Sequence, residues 1–472
     1  WASSQSPFAQ RALIAETLDI SPTDLRVIAP YVGGGFGSKA GVTMEAIPVA
    51  LATKCKGWPV KFLLTREEEF YTNFVRQGLS SIVKAGCDKN GRLIALKNTM
   101  YFDGGGSCEY GVNVTRAAGY SSSGPYDIPN VQTDSICVYT NHPVGGAYRG
   151  FGMSELHTGL DQVMDELAEK AGVDKVDFLK LNGVKGGDIL DTGMTMHPNG
   201  LVQCIENVAK SINWKEVKKP SSPNKLRGKG IAVAWKAPAM PPNAGSSAWV
   251  ECAEDGKVTV GLGGQEIGQG TFTVMAQMAA AALGVKYEDV RIAGPVDTQY
   301  SPYEWQTVAS HITWSSGNAV KNAALDAREQ ILSLIHRVYH YPIDELYLED
   351  EAVKCSTDPS FCVPLKSFVV DGIMTKDGTF KGGPINARGM YMPEFSSTNG
   401  DPETSQGGHP NVHYTVGAAA LDLEIDRETG KMRVLKAALA IDAGKALNPE
   451  LVRGRITGGL LQGLATVLYE DM

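Results

Sequence analysis

Three glycine-rich loops carry the residue types in this chain that could do chemistry. The first reads Tyr31-Val32-Gly33-Gly34-Gly35-Phe36-Gly37-Ser38-Lys39. A tight turn needs one or two glycines; three, then a phenylalanine and another glycine, suit backbone laid closely against a flat or metal-bound group. The phosphate loop of nucleotide enzymes ends in Gly-Lys-Ser/Thr, whereas here Ser38 precedes Lys39 and Ala40 follows, and the spacing is not G-x-G-x-x-G either. The second loop, Gly145-Gly146-Ala147-Tyr148-Arg149-Gly150-Phe151-Gly152, runs into a helix. Arg149 can set a guanidinium against an anion, and Phe151 offers a ring face to a planar molecule, although an arginine between glycines, read alone, is a solvated loop residue. The third loop, Gly263-Gly264-Gln265-Glu266-Ile267-Gly268-Gln269-Gly270, also opens a helix. Free N–H groups there suit a phosphate, and glutamines suit the amide edges of a heterocycle. Glu266, at a helix start, reads as a dipole-compensating carboxylate rather than a catalytic acid.

Other chemistries find less support. The eight cysteines include no C-x-x-C pair, so neither a ferredoxin-type cluster nor a paired-thiolate zinc site is written here. Scattered reduced thiols in a cytoplasmic protein are the expectation. His336 and His340 share a helix face but lack the glutamate of H-E-x-x-H, and His409 and His413 have no further ligands nearby. No Ser/His/Asp order can be defended.

The elements that must position the loops follow from periodicity. Leu25–Val32, Val60–Leu64 and Gln132–Tyr139 read as strands. After Phe151, Leu156, Leu160, Val163, Met164 and Leu167 recur at helical spacing, with Ser154 as N-cap and Gly172 as the stop. Val258–Leu262 reads as a strand and Thr271–Leu283 as an Ala/Met-rich helix ended by Gly284. A long helix covers about Asn318–Tyr339. Tyr414–Ile425 and Met432–Ile441 alternate as strands joined by Asp426–Lys431, and a last helix begins near Gly459. Mixed strand and helix throughout predicts an α+β (mixed α/β) fold. A Pro/Ser/Lys stretch at Lys218–Lys225 predicts a joint, giving a first domain over 1–217, a linker over 218–230 and a second domain over 231–472.

With 472 residues, 43 % of them hydrophobic and 20 % charged, the chain can bury a large core, and wholesale disorder is excluded. Its net charge of −8 gives no electrostatic reason to bind nucleic acid or an anionic membrane. The most apolar runs, such as Met275–Leu283, are too short to cross a bilayer. The chain opens at Trp1 and closes inside a helical pattern, so both domains are expected to be incomplete, the first at its start and the second at its end.

Taken together, the loops resemble the molybdenum-cofactor subunit of the xanthine dehydrogenase/aldehyde oxidoreductase family, the molybdenum hydroxylases. Gly33–Lys39 looks like G-G-G-F-G-G-K with Ser38 as a small departure, Ala147–Gly152 is similar to A-[FY]-R-G-F-G, and Gly263–Gly270 to G-G-x-E-[MI]-G-Q-G. Gln306-Thr307-Val308-Ala309-Ser310 and Ile456–Gly463 resemble two further family segments, and the five occur in the family's order.

The resemblance implies two elongated domains holding molybdopterin, as the mononucleotide or its cytosine dinucleotide, between them. It puts Gln5, the backbone of Phe36 and Gly37, Arg149 and Ala309 around molybdenum without direct ligation. It puts Gly35, Gly268, Gln269, Thr307, Ser310 and Gln462 on the pterin or its phosphate tail. The implied reaction is hydroxylation of an aldehyde or N-heteroaromatic C–H with water as oxygen source, the electrons leaving to iron–sulfur and FAD partner subunits. Phe151, Arg116, Ala40 and Ala239 would face substrate; Ala40 replaces the glutamate of purine oxidisers, and the Arg149 loop lacks the cysteine of carbon monoxide oxidisers. The family's general base, a glutamate downstream of the late Gln462 segment, has no counterpart here, so no catalytic base is assigned; a companion polypeptide or a missing segment is expected to carry it. The competing expectation is a non-catalytic cofactor-binding or scaffolding subunit of a split complex.

Overall fold

The structure, a computed structural model, describes every residue except 43, 108, 239, 242, 370, 394–400, 402–406 and 471–472. Two compact units form, and each draws on two separate stretches: Trp1–Leu64 with Pro241–Glu394, and Thr65–Met240 with Phe395–Met472. Each unit therefore interleaves an early stretch of the chain with a late one. Within the expected joint at 218–230, Lys225 already begins the strand Lys225–Lys236.

The first unit is built on a four-stranded sheet in the order Val290–Ala293, Val258–Leu262, Ser246–Cys252, Asn386–Tyr391, parallel at its first pairing and antiparallel at the other two. Two helices cover it. Thr271–Leu283 forms because an Ala/Met run lies between glycines that both adopt left-handed φ, Gly270 at 81° and Gly284 at 90°. Ile312–Tyr339 is 28 residues long and turns a stripe of alanines, Ala319, Ala323 and Ala327, inward. Such small residues let the helix lie directly on the sheet: a Cβ on Gly389 would sit 2.2 Å from the Ala319 carbonyl. Val258, Val260, Leu262, Met275, Ala279 and Ile331 make the dry centre.

The second unit holds two three-stranded sheets. In one, Leu93–Gly105 lies between Leu79–Cys87 (antiparallel) and Asn130–Tyr139 (parallel). In the other, Thr415–Asp426 lies between Lys225–Lys236 and Met432–Ile441, all antiparallel. The helices Met153–Ala171, Lys175–Asn182 and Leu201–Ser211 supply Leu160, Met164, Phe178, Leu201 and Ile205 to a core completed by Val233, Trp235 and Val416. Trp235 stacks on Tyr414 at 4.1 Å between centroids.

The expected helix after Phe151 is present, but Gly152 rather than Ser154 takes the cap, with φ 87°, because Ser154 Oγ is turned back to the Arg149 carbonyl at 3.2 Å. Val60–Leu64 carries no sheet ladder, and only Ile28–Ala29 of Leu25–Val32 pairs, with Val296–Asp297. The last helix starts at Pro449, ten residues before Gly459. Asn448 caps it by accepting from Leu451 N, and proline is pre-set for the first turn. Among the described residues no helix is long and apolar enough to cross a membrane.

Candidate functional site

In the first unit, Gln5 is the hub of the site residues. It is 4 % exposed. Its Nε2 donates to the Thr307 carbonyl at 2.9 Å, and its Oε1 accepts from Gly37 N at 2.9 Å. Its backbone adds two bonds, Gln5 N to Lys39 O (2.8 Å) and Thr307 N to Gln5 O (3.0 Å). One side chain thus ties the 33–39 loop to the 306–310 loop. The glycine at 35 is required by this contact, since a Cβ there would lie 2.3 Å from Gln5 Oε1. Phe36 sits at φ 52° and is 48 % exposed, so its ring stands out of the loop while Gly34 (108°) and Gly37 (119°) take the backbone around it. Ala40 is buried behind it.

The third loop joins the same assembly. Gln265 N donates to Thr307 Oγ1 at 2.8 Å, Gln265 Nε2 donates to Pro30 O at 2.7 Å, and Val32 N donates to Glu266 O at 3.2 Å. Glu266 is the structural carboxylate its position suggested: it accepts from Gly268 N, Gly270 N and Phe272 N at 2.8–3.0 Å. This corrects one expectation, because those N–H groups are taken by Glu266 rather than left free for a phosphate. Gln269 is engaged likewise. Its Oε1 accepts from Ile267 N, and its Nε2 donates to Gln265 O and Thr271 Oγ1, so its amide braces its own loop. Gly268 turns at φ 94°.

Ala309 and Ser310 adopt φ 55° and 59°, two consecutive left-handed residues that are not glycine. The loop they end is closed by Glu304 and His311, residues that periodicity and motif gave no reason to single out. Burial pushes the Glu304 carboxyl up to about 7 and the His311 imidazole down to about 4.

In the second unit, Arg149 and Gln462, 313 positions apart, meet. Arg149 Nη1 donates to Gln462 Oε1 at 3.2 Å and Nη2 to Arg455 O at 3.2 Å, while Gln462 Nε2 donates to Tyr148 Oη at 2.7 Å. Beneath them lies Arg76, which sequence reading missed. It pairs with Glu155 at 2.9 Å with the two side chains only 11 % and 8 % exposed, donates to the Arg149 carbonyl at 2.8 Å and lies 4.3 Å from the Tyr148 ring centre. Nothing local marks Arg76; its partner is on another element. Phe151, at φ 54°, meets Tyr110 edge-on at 6.2 Å. Glu109 next to Tyr110 accepts from the Tyr110 N–H at 2.5 Å, and burial pushes its carboxyl up to about 7. Arg116 is exposed on the helix Gly111–Gly119. Ala239 lies outside the described residues.

Residues 207–472 match a molybdopterin cofactor-binding domain family, and residues 1–183 match a second family of the same description. The chain belongs to the molybdopterin cofactor-binding family. It is 28 % identical over its whole length to the putative xanthine dehydrogenase molybdenum-binding subunit of Escherichia coli strain K12, spanning 61 % of that protein. Among solved structures, the aldehyde oxidoreductase of Desulfovibrio desulfuricans superposes with a TM-score of 0.81 at 26 % identity, over 98 % of this chain and 47 % of that one. Quinoline 2-oxidoreductase of Pseudomonas putida does so with 0.82 at 26 %, over 97 % and 59 %. The chain therefore spans about half to three-fifths of the length of these relatives.

The donor set fits the family's cofactor. Around the first unit's loops the amide donors are engaged with one another, and Gln265 Oε1 is a buried acceptor without a hydrogen-bond partner, of the kind a pterin's N–H edge could use. In the second unit the donor is the Arg149 guanidinium, a cation able to face an anionic group, held by Gln462 and the Arg455 carbonyl. Among the described residues no three His, Cys, Asp or Glu side chains gather as a metal site.

Proposed function

We propose that this chain is the molybdopterin-binding part of a molybdenum hydroxylase that oxidises an aldehyde or an N-heteroaromatic C–H with water as oxygen source, handing electrons to iron–sulfur and flavin partners. The observation that carries the reading is the Gln5 bracket, because one buried amide joins two of the family's motifs, and Gln265 joins the third to them through Thr307.

When bound, the cofactor supplies a metal-acidified oxygen and an electron sink. This chain's residues supply position. Gln5, fixed at both ends of its amide, holds Phe36, Gly37 and Ala309 at the metal side, and Thr307 and Ser310 line the pterin. Gly35 and Gly268 admit close backbone approach, while Gln269 keeps the third loop wound. Arg149 presents its cation with Gln462 as its hydrogen-bonded guide. Phe151, backed by Tyr110, gives a ring face for a planar substrate, with Arg116 and Ala239 as further pocket residues and Ala40 packing the loop from behind. No residue of this chain is assigned as general base; we place that group on a companion chain or a further portion of the protein. We place the protein in the cytoplasm, a reducing compartment that suits its seven described cysteines, all unbridged.

The test is to purify the whole protein with its companion chains, measure molybdenum by mass spectrometry and pterin by fluorescence after oxidation, and follow dye reduction by benzaldehyde and by quinoline. About one molybdenum per chain with substrate-dependent reduction is expected. Molybdenum and pterin without turnover of either class would favour the scaffolding role, and absence of both would overturn the reading.

A further inference from the structure

The 305–310 loop is closed at its base by two side chains that the cofactor reading does not use. Glu304 Oε1 and His311 Nε2 face each other at 4.0 Å, with side chains 2 % and 1 % exposed. Neither atom makes a hydrogen bond of good geometry, although Ser246 Oγ and the Trp305 and Gln306 backbone also face the Glu304 carboxyl. Every other polar atom of the two side chains is spoken for. Glu304 Oε2 accepts from Ser316 Oγ at 2.5 Å, and His311 Nδ1 meets Ser315 Oγ at 3.0 Å. Both serines are on the helix Ile312–Tyr339.

Their surroundings hold them in place. Tyr303 O accepts from Ser247 N at 2.9 Å, and Trp305 N donates to Gly245 O at 3.2 Å, so the Glu304 backbone is pinned beside the strand Ser246–Cys252. A Cβ on Gly263 would lie 2.3 Å from the Pro302 carbonyl and 2.7 Å from Glu304 Cβ, so the chain packs closely on Glu304 from that side. Trp305 stacks on the His311 ring, 5.8 Å between centroids and 27° between planes. The ends of the loop are therefore fixed by backbone, and the Trp305–His311 stack and the facing Oε1 and Nε2 atoms join them.

The proton count follows from Ser315. If its hydroxyl donates to His311 O, as the 3.2 Å contact allows, its oxygen accepts from Nδ1–H, and Nε2 is left as an acceptor that a protonated Glu304 would fill. If the hydroxyl instead donates to Nδ1, Nε2–H is a donor to the Glu304 carboxylate. Either arrangement gives the pair one proton, with a donor facing an acceptor across a 4.0 Å gap that a small side-chain shift would close to a hydrogen bond.

We propose that Glu304 and His311 form a one-proton clasp that holds Ala309 and Ser310 in their left-handed conformation, making them positioning residues for the loop. The inference rests on the proposed function only for what the loop faces; the clasp itself is a property of this chain.

The test uses His311→Phe, which keeps a ring under Trp305 and removes both nitrogens, together with Glu304→Leu and Glu304→Gln, in the whole protein with its companion chains. Amide hydrogen exchange of residues 307–311 is expected to quicken at least tenfold in His311→Phe and Glu304→Leu, to quicken no further in the double variant, and to stay within twofold of wild type in Glu304→Gln, whose amide can still bond the imidazole. The molybdenum(V) spin-resonance signal of the dithionite-reduced protein should change in the first two variants and not in the third. Wild-type exchange in His311→Phe, or additive effects in the double variant, would overturn the clasp. If Glu304→Leu fails to fold, His311→Phe against Glu304→Gln still decides. A wild-type protein without molybdenum would sink the proposed function and leave the exchange result standing on its own.

Discussion

The two units hold their motif residues by different physics. In the first unit the loops are joined by neutral amides buried from water, with Gln5, Gln265 and Thr307 each saturating backbone groups of another loop. In the second, the Arg149 loop rests on a buried ion pair, Arg76 with Glu155, and reaches Gln462 on the helix Pro449–Tyr469, of which no described residue is buried. Neutral amide brackets lose little when salt or pH changes, and they fix geometry through several short bonds. A buried charge pair gains its strength from low dielectric and is costly to break from one side. The first unit's loops are thus held to one another by several short neutral bonds, and the second unit's Arg149 loop is anchored by an ion pair at its base and reaches an unburied helix at its tip.

The contrast can be broken most sharply at its charged end. Arg76→Leu leaves Glu155 buried without its cation and is expected to destabilise the second unit by about 3–5 kcal/mol in urea unfolding; a loss under about 1 kcal/mol would mean that the pair behaves as a surface bridge. Next in size is Gly263→Ala, whose Cβ would meet the Pro302 carbonyl at 2.3 Å and force backbone to move, at about 2–3 kcal/mol of the first unit's stability. Then come the two glutamines, compared directly. Gln5→Leu strands the Gly37 N–H and the Thr307 carbonyl, for about 2 kcal/mol, whereas Gln462→Leu is expected to cost less than about 1 kcal/mol because water can replace its bonds. Equal losses at the two sites would erase the distinction drawn here.

The smallest effect is a pH slope. Glu304 is raised from 4.5 to about 7, so the folded state binds its proton more tightly than the unfolded chain does. That contribution is fully present below pH 4.5 and is lost as pH rises toward 7, at up to about 1.4 kcal/mol per pH unit. Glu304→Gln should flatten the first unit's stability over this window, as read from urea midpoints at half-unit intervals; an unchanged slope would show that other groups set it.

How much of this was legible in the sequence depended on how local the signal was. Thr271–Leu283 and Met432–Ile441 fall where periodicity put them because their boundaries are written in adjacent residues, glycines for the one and the Asp426–Lys431 turn for the other. The start of the last helix was written too, in Asn448-Pro449, but the glycines at 458 and 459 drew attention past it. The strand Lys225–Lys236 was hidden because its lysines and glycines look like a linker, and only pairing with Thr415–Asp426 makes it a strand. Among the residues that fold together, the motif glycines and Gln5 could be picked out from order and resemblance. Arg76, Glu155, Glu304 and His311 could not, since each acquires its role from a partner that only folding brings near.

Two adjacent residues wound the wrong way, Ala309 and Ser310, carry a last consequence. Glycine would sit there without penalty, whereas a side chain in that conformation costs about 1–3 kcal/mol. What alanine adds for that cost is a single methyl group, projecting from a stretch of backbone that cannot easily yield. Exchanging Ala309 for glycine would remove that cost and that methyl together, leaving the winding to bare backbone.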